Sequence, residues 1–292
     1  MNIGLVYKSL TEKDFTVLRA IEEYSSKYEY VPLELIEKRT RIIEEHLTLI
    51  LNKLNKLKLV KRETIAGYKS YRLTYLGYDM LALNSLVRKN VLEALGDKIG
   101  VGKESEIYVG LAPGGVRVAV KFLRIGRTSF RRTKILRTWV QEPHTSWYRQ
   151  ARIAAEREFK ALKELSLLKA LVPAPFGYDR HVVVTEYVEG VELYRRPSLE
   201  NPEEVFWKTV DTLRLAYQEV GIVHSDLSEY NILVRIDDQT PFIIDWPQYV
   251  YKDHPSSIEL LRRDVEYLVK FFNKVYRVNV QIDDALKKIL GS

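Results

Sequence analysis

Apolar and polar positions alternate with two different periods along the first 85 residues. Between residues 11 and 24, Phe15, Leu18 and Ile21 recur at the spacing that lines one face of a helix. Thr11 precedes that run as a predicted N-cap, with Asp14 three residues on. Residues 32–38 predict a short second helix. Residues 42–57 predict a third, with Ile43, Leu47, Ile50, Leu51 and Leu54 on its apolar side. The period then falls toward two. Residues 59–64 and 69–73 flank Ala66-Gly67 and predict a β-hairpin, and residues 74–86 return to helix. Three helices with a two-stranded wing predict a winged helix-turn-helix domain over residues 1–86.

Residues 87–95 predict a connecting helix or linker. No Pro-, Gly- or Ser-rich run interrupts the chain there, so the flanking domains are expected to pack together. Beyond it, residues 100–109 predict a strand-turn-strand. Val118, Ala119, Val120 and Phe122 surround Lys121 in an apolar strand. Residues 151–168 predict a helix with Phe159, Leu162 and Leu165 inward, and residues 182–190 a buried strand running into a polar linker. The expected fold class is α+β.

The 292 residues suffice for two domains with substantial cores. Absence of cysteine excludes disulfides and thiolate metal sites. The first twenty residues lack the apolar core of a signal peptide, and no apolar stretch approaches a membrane span of about 20 residues. A cytoplasmic protein with no membrane partner is expected. The net charge of +7 is uneven. Arg124, Arg127, Arg131, Arg132, Lys134 and Arg137 crowd residues 124–137 without an acid, the pattern of a mobile segment that meets nucleic acid. Residues 1–90 carry 16 Lys and Arg against 11 Asp and Glu. Lys61, Arg62, Lys69 and Arg72 on the predicted wing suit phosphates, while Glu44 and Glu45 oppose them. Nucleic acid and protein partners both stay open for this domain, with RNA favoured over specific DNA.

The densest chemistry lies at residues 224–231, His-Ser-Asp-Leu-Ser-Glu-Tyr-Asn, followed fourteen residues later by Asp245. This is H-x-D-x-x-x-x-N, then an apolar run ending in Asp. Phosphoryl transfer needs such a set: one carboxylate to orient or deprotonate the acceptor, and an amide with a second carboxylate to hold metal. Asp226 suits the first task, and Asn231 and Asp245 the second. The other parts appear upstream in order. Gly100 to Val109 matches a glycine-rich phosphate loop with Ser105 in the third glycine position, bringing Gly102, Lys103, Glu104 and Ser105 to the phosphates. Lys121 follows nineteen residues after Gly102, where a kinase places the lysine for the α- and β-phosphates. Glu158 is the candidate partner of Lys121, with Glu156 as the alternative. Glu186 and Val188 fall where a kinase hinge reads the adenine edge. His224 reads as a brace of its loop.

This chain resembles the RIO family of atypical serine protein kinases, in the subfamily with a winged helix ahead of the kinase core. The resemblance covers nearly the whole chain. It rests most on Gly102-Lys103-Glu104-Ser105, on residues 224–231, and on Ile244-Asp245-Trp246-Pro247-Gln248. It implies a bilobal kinase domain over residues 96–292, with lobes at about 96–186 and 189–292, lacking an activation segment and peptide-docking helices. It implies ATP with Mg²⁺ (Mn²⁺ as an alternative), autophosphorylation, and a part in maturing the small ribosomal subunit. The precursor particle would be met through the winged helix and residues 124–137. An archaeal source fits so compact a chain. Asp245 is a further conceivable nucleophile, and Thr128, Ser129 and Thr133 are expected acceptors.

Departures from ordinary protein kinases matter too. Pro247 stands where a glycine is usual, fixes φ and removes an N–H, so the metal loop is expected to be stiff. Only 47 residues follow Asp245, too few for peptide docking. Ser228 occupies the position of a phosphate-steadying lysine, which predicts slow transfer. Two other readings compete: an ATP-sensing winged-helix regulator with little turnover, and a small-molecule kinase, to which the N-terminal domain would contribute nothing.

Overall fold

The computed structural model describes residues 3–102, 104–125 and 147–291. The chain opens with α1 (Ile3–Lys8) and α2 (Glu12–Tyr24). Thr11 caps α2 as expected: its hydroxyl accepts from the Asp14 N–H, and the Asp14 carboxylate accepts the Thr11 N–H at 2.7 Å. Asp14 is also buried and binds Lys53 at 2.6 Å, which ties α2 to α4 (Glu44–Lys56). Between them lie β1 (Val31–Pro32) and α3 (Leu33–Thr40). Leu47, Leu51 and Leu54 of α4 are fully buried, but Ile43 is 59% exposed. The expectation placed Ile43 on the inner face. It instead precedes the helix in an extended conformation, so the helical period does not carry it inward.

β2 (Val60–Ile65) and β3 (Tyr68–Leu73) form the wing, and β1 joins them in an antiparallel sheet of order β1-β3-β2. Ala66 and Gly67 both take positive φ, 49° and 85°, as a two-residue hairpin turn requires. α5 (Tyr75–Arg88) closes the domain. A Cβ at Gly77 would lie 2.3 Å from the Leu59 carbonyl, so glycine there lets α5 press onto the start of the wing. Of the two forms expected for residues 87–95, a helix or a linker, the segment between α5 and β4 is a short connection with no helix of its own. α5 itself runs through Arg88, and a short turn leads directly to β4 (Ala94–Val101).

β4 belongs to a five-stranded antiparallel sheet with β5 (Ser105–Ala112), β6 (Val116–Leu123), β7 (Pro175–Asp179) and β8 (Val182–Glu186), in the order β4-β5-β6-β8-β7. α6 (Trp147–Leu167) packs on it, beginning four residues before the predicted start. One apolar core runs from the winged helix into this lobe, joining Leu47, Leu51 and Leu81 to Val118, Val120 and Val184. The last residue of β7 and the turn after it supply polar anchors at three consecutive residues. Asp179 binds Lys89 at 2.8 Å and Ser85 at 2.5 Å, Arg180 forks onto Glu22 at 2.6 and 2.7 Å, and His181 meets Asp79 at 2.7 Å. Tyr148 of α6 stacks on Tyr78 and donates to Glu22 at 2.7 Å.

Arg124 corrects an expectation. Predicted as part of a nucleic-acid-facing basic run, it is 4% exposed and donates to both Asp79 oxygens at 2.6 and 2.8 Å and to Glu106 at 3.0 Å. It immediately follows β6, whose end is tucked against α5, so its charge is neutralised inside the joint. Residues 127–137, with Thr128, Ser129 and Thr133, lie outside the described residues.

The second lobe contains β9 (Gly190–Glu192), α7 (Pro202–Leu215), β10 (Ile222–Val223), β11 (Ile232–Arg235), β12 (Pro241–Ile243), β13 (Val250–Tyr251), α8 (Ser257–Tyr276) and α9 (Ile282–Leu290). Strands pair as β12-β11-β9 and β10-β13. Its own core contains Phe206, Trp246 and Phe272. Only residues 246–256 separate Asp245 from α8, so no activation segment intervenes. The fold is α+β, as expected. No described helix is long and apolar enough to cross a membrane.

Candidate active site

The two lobes face each other across a cleft, where β6 and α6 of the first lobe and the loops after β10 and β12 of the second bring polar side chains together. β6 carries Lys121, in register with Ile107 of β5 and Val183 of β8. α6 carries Glu158. The Lys121 ammonium lies 2.8 and 3.1 Å from the two Glu158 oxygens and 2.8 Å from Asp245 Oδ1, which follows β12. Glu158 is 3% exposed, whereas Glu156 is exposed on the outer face of α6, so Glu158 is the partner.

One ammonium faces two carboxylates. Burial opposes the Lys121 charge, but Asp245 and Glu158 hold its pKa above the usual range. Burial pushes the Glu158 carboxyl up, partly offset by Lys121. Burial likewise opposes the Asp245 charge, yet the Lys121 ammonium keeps its pKa below the usual range. Asp245 is therefore a stable carboxylate, half-buried and directed into the cleft.

β10 delivers His224, Ser225 and Asp226. His224 is 1% exposed, and burial pulls its pKa down to about 4, so the ring is neutral. Its Nε2–H donates to the Ile244 carbonyl at 3.1 Å, while Nδ1 accepts the Asp226 N–H at 3.3 Å. The ring thus braces the backbone of Asp226 against the residue before Asp245. Asp226 sits at the cleft edge and keeps contact with solvent. Loss of surrounding water pushes its carboxyl up to about 6; the Asp245 charge adds to the rise, Arg263 opposes it, and Glu104 of the phosphate loop adds a smaller push. Asn231 ends a short turn after Ser228. Its side-chain NH₂ donates to the Asp226 carbonyl at 2.8 Å, and its own carbonyl accepts the Ile244 N–H at 2.9 Å. That backbone bond sets Asn231 beside Asp245.

The phosphate loop turns after β4, where the Gly102 N–H donates to the Ser105 carbonyl at 2.9 Å. The Glu104 carbonyl accepts the Arg124 N–H at 2.6 Å, which fastens the loop to the end of β6. Lys103 lies outside the described residues. Glu186 closes β8 and donates its N–H to the Ala174 carbonyl at 2.7 Å, and its own carbonyl accepts the Thr185 hydroxyl at 3.3 Å. Val188 follows outside both ladders.

Three contributors were not foreseen. Asp264 of α8 is 1% exposed and accepts the Ser225 N–H at 2.7 Å and the Leu227 N–H at 3.2 Å. Arg263 beside it donates to the Ser225 carbonyl. Arg157 of α6 donates to carbonyls of the segment after Asp245. No local motif marks them, since each acts on a backbone many residues away.

The donor set fits a hard divalent cation with a polyphosphate. Asp226, Asp245 and Glu158 leave negative charge in excess of Lys121, and Asn231 and Asp245 offer oxygen ligands. Among the described residues no three His, Cys, Asp or Glu side chains form a closed metal cage. Mg²⁺ is commonly held by one or two protein oxygens, with phosphates and water completing its shell.

A bilobal fold with this lysine–glutamate pair and this pair of loops defines a protein-kinase-like nucleotide site. Residues 106–285 match the RIO domain, and residues 7–89 match the Rio2 N-terminal domain. The RIO-type serine/threonine-protein kinase Rio2 of Methanocaldococcus jannaschii is 39% identical over 259 residues, spanning 86% of this chain and 93% of the relative. The serine/threonine-protein kinase rio2 of Schizosaccharomyces pombe is 35% identical over 92% of this chain and 78% of its own length. Among solved structures, the Chaetomium thermophilum Rio2 kinase–ADP/Mg²⁺–phosphoaspartate complex superposes with a TM-score of 0.82 at 33% identity, covering 97% of this chain and 88% of that one. The chain belongs to the RIO kinase family and carries the Rio2 type of N-terminal domain.

Proposed function

We propose that this chain is an ATP- and Mg²⁺-dependent RIO-type serine/threonine kinase, with ATPase activity, that autophosphorylates and serves in maturation of the small ribosomal subunit in the cytoplasm. The observation that carries the reading is the convergence of Lys121, Glu158 and Asp245 within 3.1 Å across the two lobes, with Asp226 and Asn231 braced beside them.

Each residue then has a task. Lys121, oriented by Glu158, binds the α- and β-phosphates. Gly102, Lys103, Glu104 and Ser105 cover the phosphates, and Glu186 and Val188 present the hinge backbone to the adenine. Asn231 and Asp245 hold Mg²⁺, which neutralises charge on the transferring phosphoryl group when bound. Asp226 accepts the proton of a serine or threonine hydroxyl, or orients water. Ser228 contributes a hydroxyl where other kinases place a lysine. Asp245 is an alternative acceptor, a reading supported by the phosphoaspartate of the Chaetomium relative. Exposed Lys61, Arg62 and Lys69 on the wing support contact with rRNA phosphates. Arg124 is excluded from that surface by its burial.

The test is ATP turnover with product analysis on wild type and Asp226→Ala, with and without small ribosomal subunits. Asp226-dependent phosphate release stimulated by subunits is expected, with label retained on the protein reporting autophosphorylation. Tight ATP binding without turnover under any condition would favour an ATP-sensing winged-helix regulator.

A further inference from the structure

We propose that Arg157 is a positioning residue for the metal loop: its guanidinium holds residues 246–249 in the turn that aims Asp245 into the cleft. The proposal rests on reading Asp245 as a metal ligand.

Asp245 has φ 69°, in the left-handed region that a side chain with a Cβ disfavours. Such a backbone persists where its surroundings hold it. The four carbonyls that follow are all engaged. That of Trp246 accepts the Tyr249 N–H at 3.3 Å, and that of Gln248 accepts the Ser225 hydroxyl at 2.6 Å. The other two belong to Arg157. Its Nε donates to the Pro247 carbonyl at 2.9 Å, and a terminal nitrogen donates to the Tyr249 carbonyl. The guanidinium also lies 4.0 Å from the centre of the Tyr249 ring, which is buried. Pro247 has no N–H, so its carbonyl is the one backbone group by which it can be gripped. A planar guanidinium spans two acceptors at once, whereas an ammonium is a point charge.

The neighbour of Arg157 on α6 is Glu158, which holds Lys121. One stretch of α6 therefore sets both the phosphate lysine and the metal carboxylate. Any displacement of the helix moves the two together.

The experiment is calorimetric titration of ADP into the full chain, in chelator and across a Mg²⁺ series, for wild type, Arg157→Met and Arg157→Lys. Melting by circular dichroism identifies the folded variants. The apparent Mg²⁺ affinity is expected to fall about tenfold or more in both variants, with Mg²⁺-free ADP affinity within about twofold of wild type. A folded Arg157→Met with wild-type Mg²⁺ dependence overturns the proposal. So does an equal loss of Mg²⁺-free binding, which marks a general structural role. If Arg157→Met does not fold, Arg157→Lys decides by the same criteria. If wild type binds ADP without any Mg²⁺ dependence, the metal reading of Asp245 itself fails. If wild type shows that dependence and the variants match it, only the role of Arg157 fails.

Discussion

Asp79→Asn will loosen the joint between the winged helix and the kinase domain. Asp79 is 2% exposed and accepts two hydrogen bonds from Arg124, itself 4% exposed, with His181 at 2.7 Å as a third neighbour. Removing one partner of a buried ion pair costs about 3–5 kcal/mol, mostly because the other charge stays buried. Arg124 keeps Glu106 at 3.0 Å, and the new amide keeps one acceptor oxygen, so the lower end, about 3 kcal/mol, is expected. Replacing both partners, Asp79→Leu with Arg124→Met, removes the charges together. Glu106 then retains Lys98 at 2.9 Å, while the buried His181 ring loses Asp79 at a cost of about 1–3 kcal/mol, so the double variant should be clearly less unstable than the sum of its singles, Asp79→Leu and Arg124→Met. The assay is guanidinium denaturation followed by tryptophan fluorescence, because Trp147 stacks on Tyr75 at this joint. A cost below about 1 kcal/mol for Asp79→Asn, or a double variant as unstable as the summed singles, would refute the reasoning.

Three further outcomes are expected. Glu158→Gln should lower kcat/KM for ATP about a hundredfold by releasing Lys121, whereas Glu156→Gln on the exposed face should be silent; equal effects in steady-state assays would contradict the pairing. kcat/KM, which reports the free enzyme, should fall about tenfold per pH unit below about 6, where Asp226 takes up its proton, and a profile flat down to about pH 5 would contradict its role. His224 is held to about 4 in the folded state against about 6.5 unfolded, so stability present above about pH 6.5 is lost as pH falls toward about 4, amounting to about 3 kcal/mol. Denaturation midpoints of wild type and His224→Gln across that range should diverge in slope, and parallel curves would rule the brace out.

The sequence by itself determined most elements of the winged helix and of the first kinase lobe, the chemistry of the cleft and most of its candidate residues, but not the helices and strands of the second lobe. Local rules suffice there. Apolar periodicity marks helices and strands because one face must leave water. The Thr11–Asp14 cap needs only neighbours in the chain. His224, Asp226 and Asn231 lie within eight residues of one another, so their shared task shows in the spacing. The tertiary structure decided what depends on distant partners. Glu156 and Glu158 are equivalent as letters, and only the side of α6 that meets β6 separates them. Arg124 reads as the first residue of a solvated basic run until α5 brings Asp79 against it, some 45 residues earlier in the chain. Arg157, Arg263 and Asp264 act on backbone carbonyls and N–H groups, which nearly every residue carries and no motif can name. Charge and hydrogen-bond energies depend on separation and on exclusion of water, and both are set by packing rather than by order along the chain.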